Sequence, residues 1–193
     1  MTFEKAALVL VDIQKDFCAG GALAVPEGDE VVAVVNRLLS RFDFVVATQD
    51  WHPPNHCSFQ EQGGPWPAHC VQKTRGADLH PGIDPHAIDV FIKKADDPAN
   101  EAYSDFEGHD EKGRRFDELL KARGIDTLYV TGLATDYCVK ATVLDGLKLG
   151  YKVFVVEDAV RAVNVQRGDG DRALKEMKKA GAHLRESKKV LEK

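Results

Sequence analysis

No run of apolar residues in this chain approaches the roughly 20 needed to span a bilayer. The longest candidate, AALVLV near the N-terminus, follows Glu4 and Lys5, where a secretory leader would carry a longer apolar core. Neither membrane insertion nor secretion is expected, and a cytoplasmic protein is. The 26 Lys and Arg are interspersed among 31 Asp and Glu, for a formal net charge of -5. With no basic stripe to neutralise phosphates, nucleic acid is not an expected partner. Internal repeats, low-complexity stretches and a phosphate loop of GxxxxGK[ST] type are all missing, and the segment CAGGALAVPEG lacks the GxGxxG of dinucleotide binding. The four cysteines come without a secretory context, so they read as reduced thiols free for catalysis or metal rather than a disulfide framework.

What is present is globular composition: 193 residues, 44% hydrophobic and 30% charged, enough for one core in a single domain over residues 1–193. AALVLVDI (Ala6 to Ile13) is a β-branched run of the kind buried on both faces of a parallel sheet. A helix from about Asp29 and a strand over Phe44 to Thr48 follow. Further strands are predicted at Asp89 to Lys93, in TLYVTG, in YKVFVV and, short, at His183 to Arg185. Helices are predicted over Lys112 to Ala122, Tyr137 to Leu149 and Asp169 to Lys179, with Gly124, Gly150 and Gly181 as stops. This alternation predicts a doubly wound α/β fold, a mostly parallel sheet between two helical layers.

In such sheets ligands bind beyond the carboxyl ends of the strands, where Asp12, Asp50, Lys94 and Cys138 each follow a different predicted strand. A helix N-terminus and a nearby cation are expected to lower the Cys138 thiol pKa and make it a nucleophile. The small-residue turn GLAT would let the N–H groups of Ala134 and Cys138 hold a developing oxyanion. No histidine follows the first, third or fourth strand, so Asp12 is the candidate base and Lys94 the candidate cation. Lys93 and Lys94 point to opposite sides of an extended segment, and periodicity cannot choose between them.

A long Pro/His/Gly-rich loop, roughly 50–85, carries Asp50, His52, His56 and His69. Asp50 and His52, at i and i+2, face the same side of an extended chain and can bind one ion. Mixed Asp and His ligands suit a divalent Zn, Fe or Mn with open positions. A structural zinc using Cys57 or Cys70 is the alternative, although neither pair spacing resembles a finger or ribbon. His80, His86, His109 and His183 are given no role, and Cys18 is read as packing.

Taken in order, VDIQKDF, TQDWH, PWPAHC, KKADDPANEAYSDFEG and GLATDYCV resemble the nicotinamidase/pyrazinamidase branch of the isochorismatase-like cysteine hydrolases over nearly the whole chain. The resemblance implies hydrolysis of nicotinamide, with pyrazinamide as a further substrate, to the acid and ammonia, within NAD salvage. It implies Asp12, Lys94 and Cys138 as the triad, and it favours Lys94 because the family lysine precedes a small residue, here Ala95. Asp50, His52, His56 and His69 would surround one divalent ion, zinc first, that places the ring. Phe17, Trp66, Tyr103 and Tyr137 would lie against that flat ring. A cis peptide at Leu133–Ala134 is implied as well. Asp105 stands where the family more often has a small residue, which implies an altered pocket rim. The nearest rival, a superfamily hydrolase acting on another small amide or carbamoyl compound, would keep the triad and need no histidine-bound metal. A non-catalytic small-molecule binding module is the remaining alternative, since fold alone does not fix function.

Overall fold

Side-chain alternation along the first strand sets the architecture. In the computed structural model, which describes residues 3–192, β1 (Ala6–Val11) is buried along its whole length. Ala6, Leu8 and Leu10 pack into one apolar cluster with Val31, Val35 and Leu38 of α1 (Glu30–Leu39). Ala7, Val9 and Val11 pack into a second with Leu119 and Leu120 of α2 (Phe116–Ala122). A strand sandwiched this way has no polar face, which is why its sequence reads as an unbroken apolar run.

The remaining strands are β2 (Val45–Asp50), β3 (Val90–Lys94), β4 (Thr127–Leu133), β5 (Lys152–Arg161) and β6 (His183–Arg185). They form a six-stranded sheet in the order β3-β2-β1-β4-β5-β6, with every adjacent pair parallel. α3 (Lys140–Lys148), α4 (Asp169–Ala180) and a short α5 (Ser187–Leu191) complete the helices. Val143 and Met177 pack with α2 in the second cluster, whereas Val190 packs with α1 in the first. The order reverses between β1 and β4, and in a doubly wound sheet that switch point opens a crevice at the carboxyl ends. Among the described residues, no helix is long and apolar enough to cross a membrane.

Several expectations shift in detail. α2 starts at Phe116 rather than Lys112, because the Asp110 carboxylate accepts N–H bonds from Lys112 and Arg114 (2.9 and 2.8 Å) and ties 110–114 into a turn. β2 and β3 run on to Asp50 and Lys94, and β5 continues past Val156 to Arg161 after a register shift against β4 between Val130 and Gly132. The helix expected from Tyr137 begins earlier, as a π-turn over Thr135–Val139 that leads into α3. α5 carried no periodicity long enough to be read.

Gly132 is required where it stands. Its φ is +103°, and a Cβ there would sit 2.1 Å from the Val11 carbonyl oxygen on the neighbouring strand. This close approach holds β1 and β4 together at the switch point, and the Leu133–Ala134 peptide that follows is cis, as the resemblance implied.

Candidate active site

Strand register builds the centre of the site. Asp50 and Lys94 are partners in the β2–β3 ladder, so both end their strands at the same height. Asp12 lies one residue beyond β1 with a left-handed φ of 45°, and Ala95, just past β3, has φ 55°. Such φ values are uncommon outside glycine and concentrate at functional sites. Cys138 enters from the π-turn after β4, and π-turns are likewise frequent at functional sites.

These four side chains meet on one buried ammonium. Lys94 Nζ is 2.8 Å from Asp12 Oδ2 and 3.4 Å from Cys138 Sγ, and it also bonds Asp50 Oδ1. The choice that spacing left open is thereby made: Lys93 points away, its Nζ 3.8 Å above the Trp51 ring. Asp12 Oδ1 is occupied by the Thr48 hydroxyl at 2.8 Å, whereas Oδ2 meets only the Lys94 ammonium. Oδ2 is therefore the oxygen open to take a proton.

Burial works against the Lys94 charge, but Asp12 and Asp50 outweigh it and hold the ammonium well above its usual pKa. For Asp50, too, burial is outweighed by Lys94 and the neighbouring histidines, and its carboxyl is held below the ordinary value. Burial raises Asp12, with Lys94 opposing. The expectation that Cys138 would be acidified is overturned. Burial, reinforced by Asp12 and Asp50, pushes its thiol well above the usual range in spite of Lys94. The resting group is a thiol that needs a base, not a free thiolate.

Beside the ammonium stands a set of metal-ligand atoms. Asp50, His52 and His69 are all buried and place one ligand atom each within 4.8 Å of one another. His52 Nδ1 lies 3.1 Å from the His69 carbonyl and His69 Nδ1 lies 2.7 Å from the Pro67 carbonyl. A carbonyl can only accept, so both Nδ1 atoms carry a hydrogen, which leaves Nε2 of a neutral ring as the ligand atom. His52 Nε2 is buried with no partner, an orphan that an ion would satisfy. Burial depresses the His52 pKa to about 4, so the ring is neutral, as a ligand must be. These three residues fit a divalent cation.

His56 is not brought into that set. Its Nδ1 meets the Ser58 hydroxyl at 2.7 Å and its Nε2 the Asn100 carbonyl at 3.1 Å, which commits both nitrogens. Its ring lies tilted against His52 with centroids 4.3 Å apart, and it groups with His52 and Glu101 rather than with Asp50 and His69. Neither Cys57 nor Cys70 belongs to a metal-ligand group among the described residues, which leaves the structural-zinc alternative without its thiolates.

Phe17, Trp66, Tyr103 and Tyr137 all line one small pocket that also exposes Cys138, Asp50 and His69. Trp66 Nε1 donates to the Tyr103 hydroxyl at 3.2 Å and meets Tyr137 edge-on at 5.0 Å, so the three rings brace one another. Ala134 lines the same pocket. Asp105 does not: it is fully buried behind the site, and the expected change at the rim is instead a change in the interior.

Three supporting residues escaped sequence reasoning. Gln14 donates to the carbonyls of Asp50 and Ala77 (2.9 and 3.0 Å) and accepts the Asp50 N–H, which pins the end of β2 to the metal loop. Thr48 orients Asp12. Asp136 accepts the N–H groups of Val163 and Asn164 (2.9 and 2.8 Å) and fastens the segment after β5 to the nucleophile turn. The signal for Gln14 lay inside VDIQKDF, where a buried amide beside a charged strand end needs a partner.

Comparison with known proteins follows the same lines. The family model described as the isochorismatase domain matches residues 6–189. The nicotinamidase of Escherichia coli (strain K12) is 50% identical, over 92% of this chain and 93% of that protein. The crystal structure of pyrazinamidase of Pyrococcus horikoshii in complex with zinc is 44% identical and superposes with a TM-score of 0.84, over 94% of this chain and 99% of that one. PnC1 from L. infantum in complex with nicotinate is 38% identical, with a TM-score of 0.88 over 96% and 94%.

Proposed function

The chain belongs to the isochorismatase family, and from that premise we propose that it is a nicotinamidase, which also accepts pyrazinamide and hydrolyses the carboxamide to the acid and ammonia. One observation carries this reading: Lys94 Nζ touches Asp12, Asp50 and Cys138 together, which joins a cysteine nucleophile and its base to the Asp50/His52/His69 set. The rival carbamoyl hydrolase has no use for that buried set with its two Nε2 ligand atoms.

In the first half-reaction Asp12 Oδ2 takes the Cys138 proton as Sγ attacks the carboxamide carbon. The Lys94 ammonium offsets the charge passed between thiol and carboxylate in this dry site. The N–H groups of Ala134 and Cys138 hold the oxyanion of the tetrahedral adduct. Its collapse breaks the C–N bond, Asp12 returns the proton to the departing nitrogen, and ammonia and a thioester result. In the second half, Asp12 takes a proton from water, the hydroxide cleaves the thioester, and Cys138 leaves as the thiol to which that proton returns. Asp50, His52 and His69 would hold a divalent ion, zinc first with iron or manganese as alternatives, and when bound it supplies a Lewis-acid anchor for the pyridine ring nitrogen. Phe17, Trp66, Tyr103 and Tyr137 confine the flat ring. The free acid then enters pyridine nucleotide salvage.

The test is ammonia release from nicotinamide by the metal-loaded protein. Cys138→Ala is expected to lower kcat by more than about a thousandfold with the fold retained, and a chelator is expected to remove activity that added zinc restores. A metal-loaded wild type inert toward nicotinamide would sink the proposal.

A further inference from the structure

Asp105 is an acid without a counterion. Its residue is fully buried, its backbone N–H is spent on the Thr142 hydroxyl at 3.0 Å, and neither carboxyl oxygen has a hydrogen-bond partner. The charged groups acting on it are Asp12, Lys94 and Asp50, and the neighbouring polar group is the Thr48 hydroxyl. The Lys94 ammonium has three N–H bonds, and Asp12, Asp50 and Cys138 surround it. None remains for Asp105. A carboxylate sealed this way is costly, and such a group keeps its proton instead. Burial, with Asp12 adding to it, accordingly pushes Asp105 well above the usual carboxyl range.

A protonated carboxyl is a donor, and Thr48 has room to accept. Its hydroxyl hydrogen goes to Asp12 Oδ1 at 2.8 Å, and its oxygen accepts the Asp12 N–H at 3.2 Å. A hydroxyl oxygen has two acceptor sites, so one is left. We propose that Asp105 is a positioning residue for Asp12: its carboxyl hydrogen is donated to the Thr48 oxygen, which commits the Thr48 hydrogen to Asp12 Oδ1 and leaves Oδ2 turned toward Cys138. The chain runs Asp105 O–H to Thr48 Oγ1, then Thr48 O–H to Asp12 Oδ1, and each link polarises the next. Asp105 touches no substrate and acts only through Thr48.

The proposal rests on the nicotinamidase reading for its kinetic consequence but not for its test. The rate at which iodoacetamide alkylates Cys138, read by mass spectrometry of the Cys138 peptide in the metal-loaded protein, reports proton removal by Asp12 without any substrate. Asp105→Ala is expected to slow alkylation by about tenfold and to lower kcat on nicotinamide by a similar factor with KM little changed. Asp105→Asn, whose amide N–H can still donate to Thr48, is expected to stay within about threefold of wild type in both. Adding Asp105→Ala to Thr48→Val is expected to bring no further loss, because the link is already cut. Wild-type alkylation in Asp105→Ala, an Asn variant as slow as the Ala variant, or multiplying effects in the double variant would each overturn it. Should Asp105→Ala fail to fold, infrared difference spectra of wild type against Asp105→Asn at neutral pH decide: loss of a protonated-carboxyl band supports the donor, and no such band refutes it. An enzyme inert on nicotinamide whose alkylation rates still split this way would defeat the proposed function and leave Asp105 in place.

Discussion

Replacing Asp105 by Asn should make the protein more stable, although the substitution lies beside the proposed catalytic triad. In the unfolded chain this carboxyl titrates near its ordinary 3.8 and is ionised at neutral pH, whereas in the fold it is raised well above that value, first by burial and then by Asp12. Folding at about pH 7 therefore takes up a proton, which costs about 1.4 kcal/mol for each pH unit above 3.8, or roughly 4 kcal/mol as a ceiling. Were the group ionised in the fold, burying its unpaired charge would cost a similar amount. Asn has no proton to take up, and after a discount for an amide that cannot satisfy all its hydrogen bonds, the gain is on the order of 2 kcal/mol. For a chain of this length that is about 4–8 °C in Tm. The sign follows from proton counting: between 3.8 and its raised value in the fold this carboxyl holds a proton that the unfolded chain has lost, so its contribution to wild-type stability declines as pH rises through that window. The Asn variant lacks that decline. Urea unfolding of both proteins from about pH 5 to about pH 8 should show a gap that widens with pH at a slope approaching 1.4 kcal/mol per unit while m stays equal. An Asn variant no more stable than wild type at the upper end, or a gap that is flat with pH, would refute the reasoning.

Three further outcomes are expected. Gly132→Ala forces a Cβ to within 2.1 Å of the Val11 oxygen at a φ of +103°, so the β1–β4 pairing must open and stability should fall by more than about 3 kcal/mol; a urea midpoint unchanged from wild type would contradict this. Asp50→Asn removes the carboxylate shared by Lys94 and the histidine pair, so zinc affinity measured by competition with a chelator should drop by at least about tenfold; undiminished affinity would remove Asp50 from the ligand set. Trp66→Ala unbraces Tyr103 and Tyr137, and the expected loss is about tenfold in KM for nicotinamide with kcat nearly kept; a fall confined to kcat would mean that the ring is not held there.

The fold was legible where the signal is local. AALVLV announces a doubly buried strand because both faces of β1 meet apolar layers, and each glycine stop ends a helix by local backbone chemistry. The start of α2 was not, since Asp110 competes for the backbone N–H groups that a longer helix would use, and helical periodicity is blind to a capping carboxylate upstream. Lys93 and Lys94 show the same limit. Alternation says that they face opposite ways, but only the pairing of Asp50 with Lys94 across β2 and β3 says which way is inward. His56 was placed among the metal ligands because it shares a loop with His52 and His69. What separates it is the Asn100 carbonyl, which arrives from 44 residues away.

Charge states were the least readable part, and they decide the chemistry. From sequence, Cys138 looked acidified by a helix N-terminus and a cation. In the fold the same cation also faces two carboxylates and a sealed interior, and burial wins. The consequence is a division of labour: a thiol that stays protonated at rest is protected from adventitious reaction, and it becomes a nucleophile only as Asp12 Oδ2 accepts its proton. That arrangement needs Asp12 ionised while a second carboxylate, Asp50, lies close by, and the two are tolerated together because Lys94 bonds both. A single ammonium cannot also neutralise a third acid at the same depth. Asp105 must therefore carry its own proton, and a residue whose sequence position suggested only a reshaped pocket rim becomes the outermost link holding the base in place.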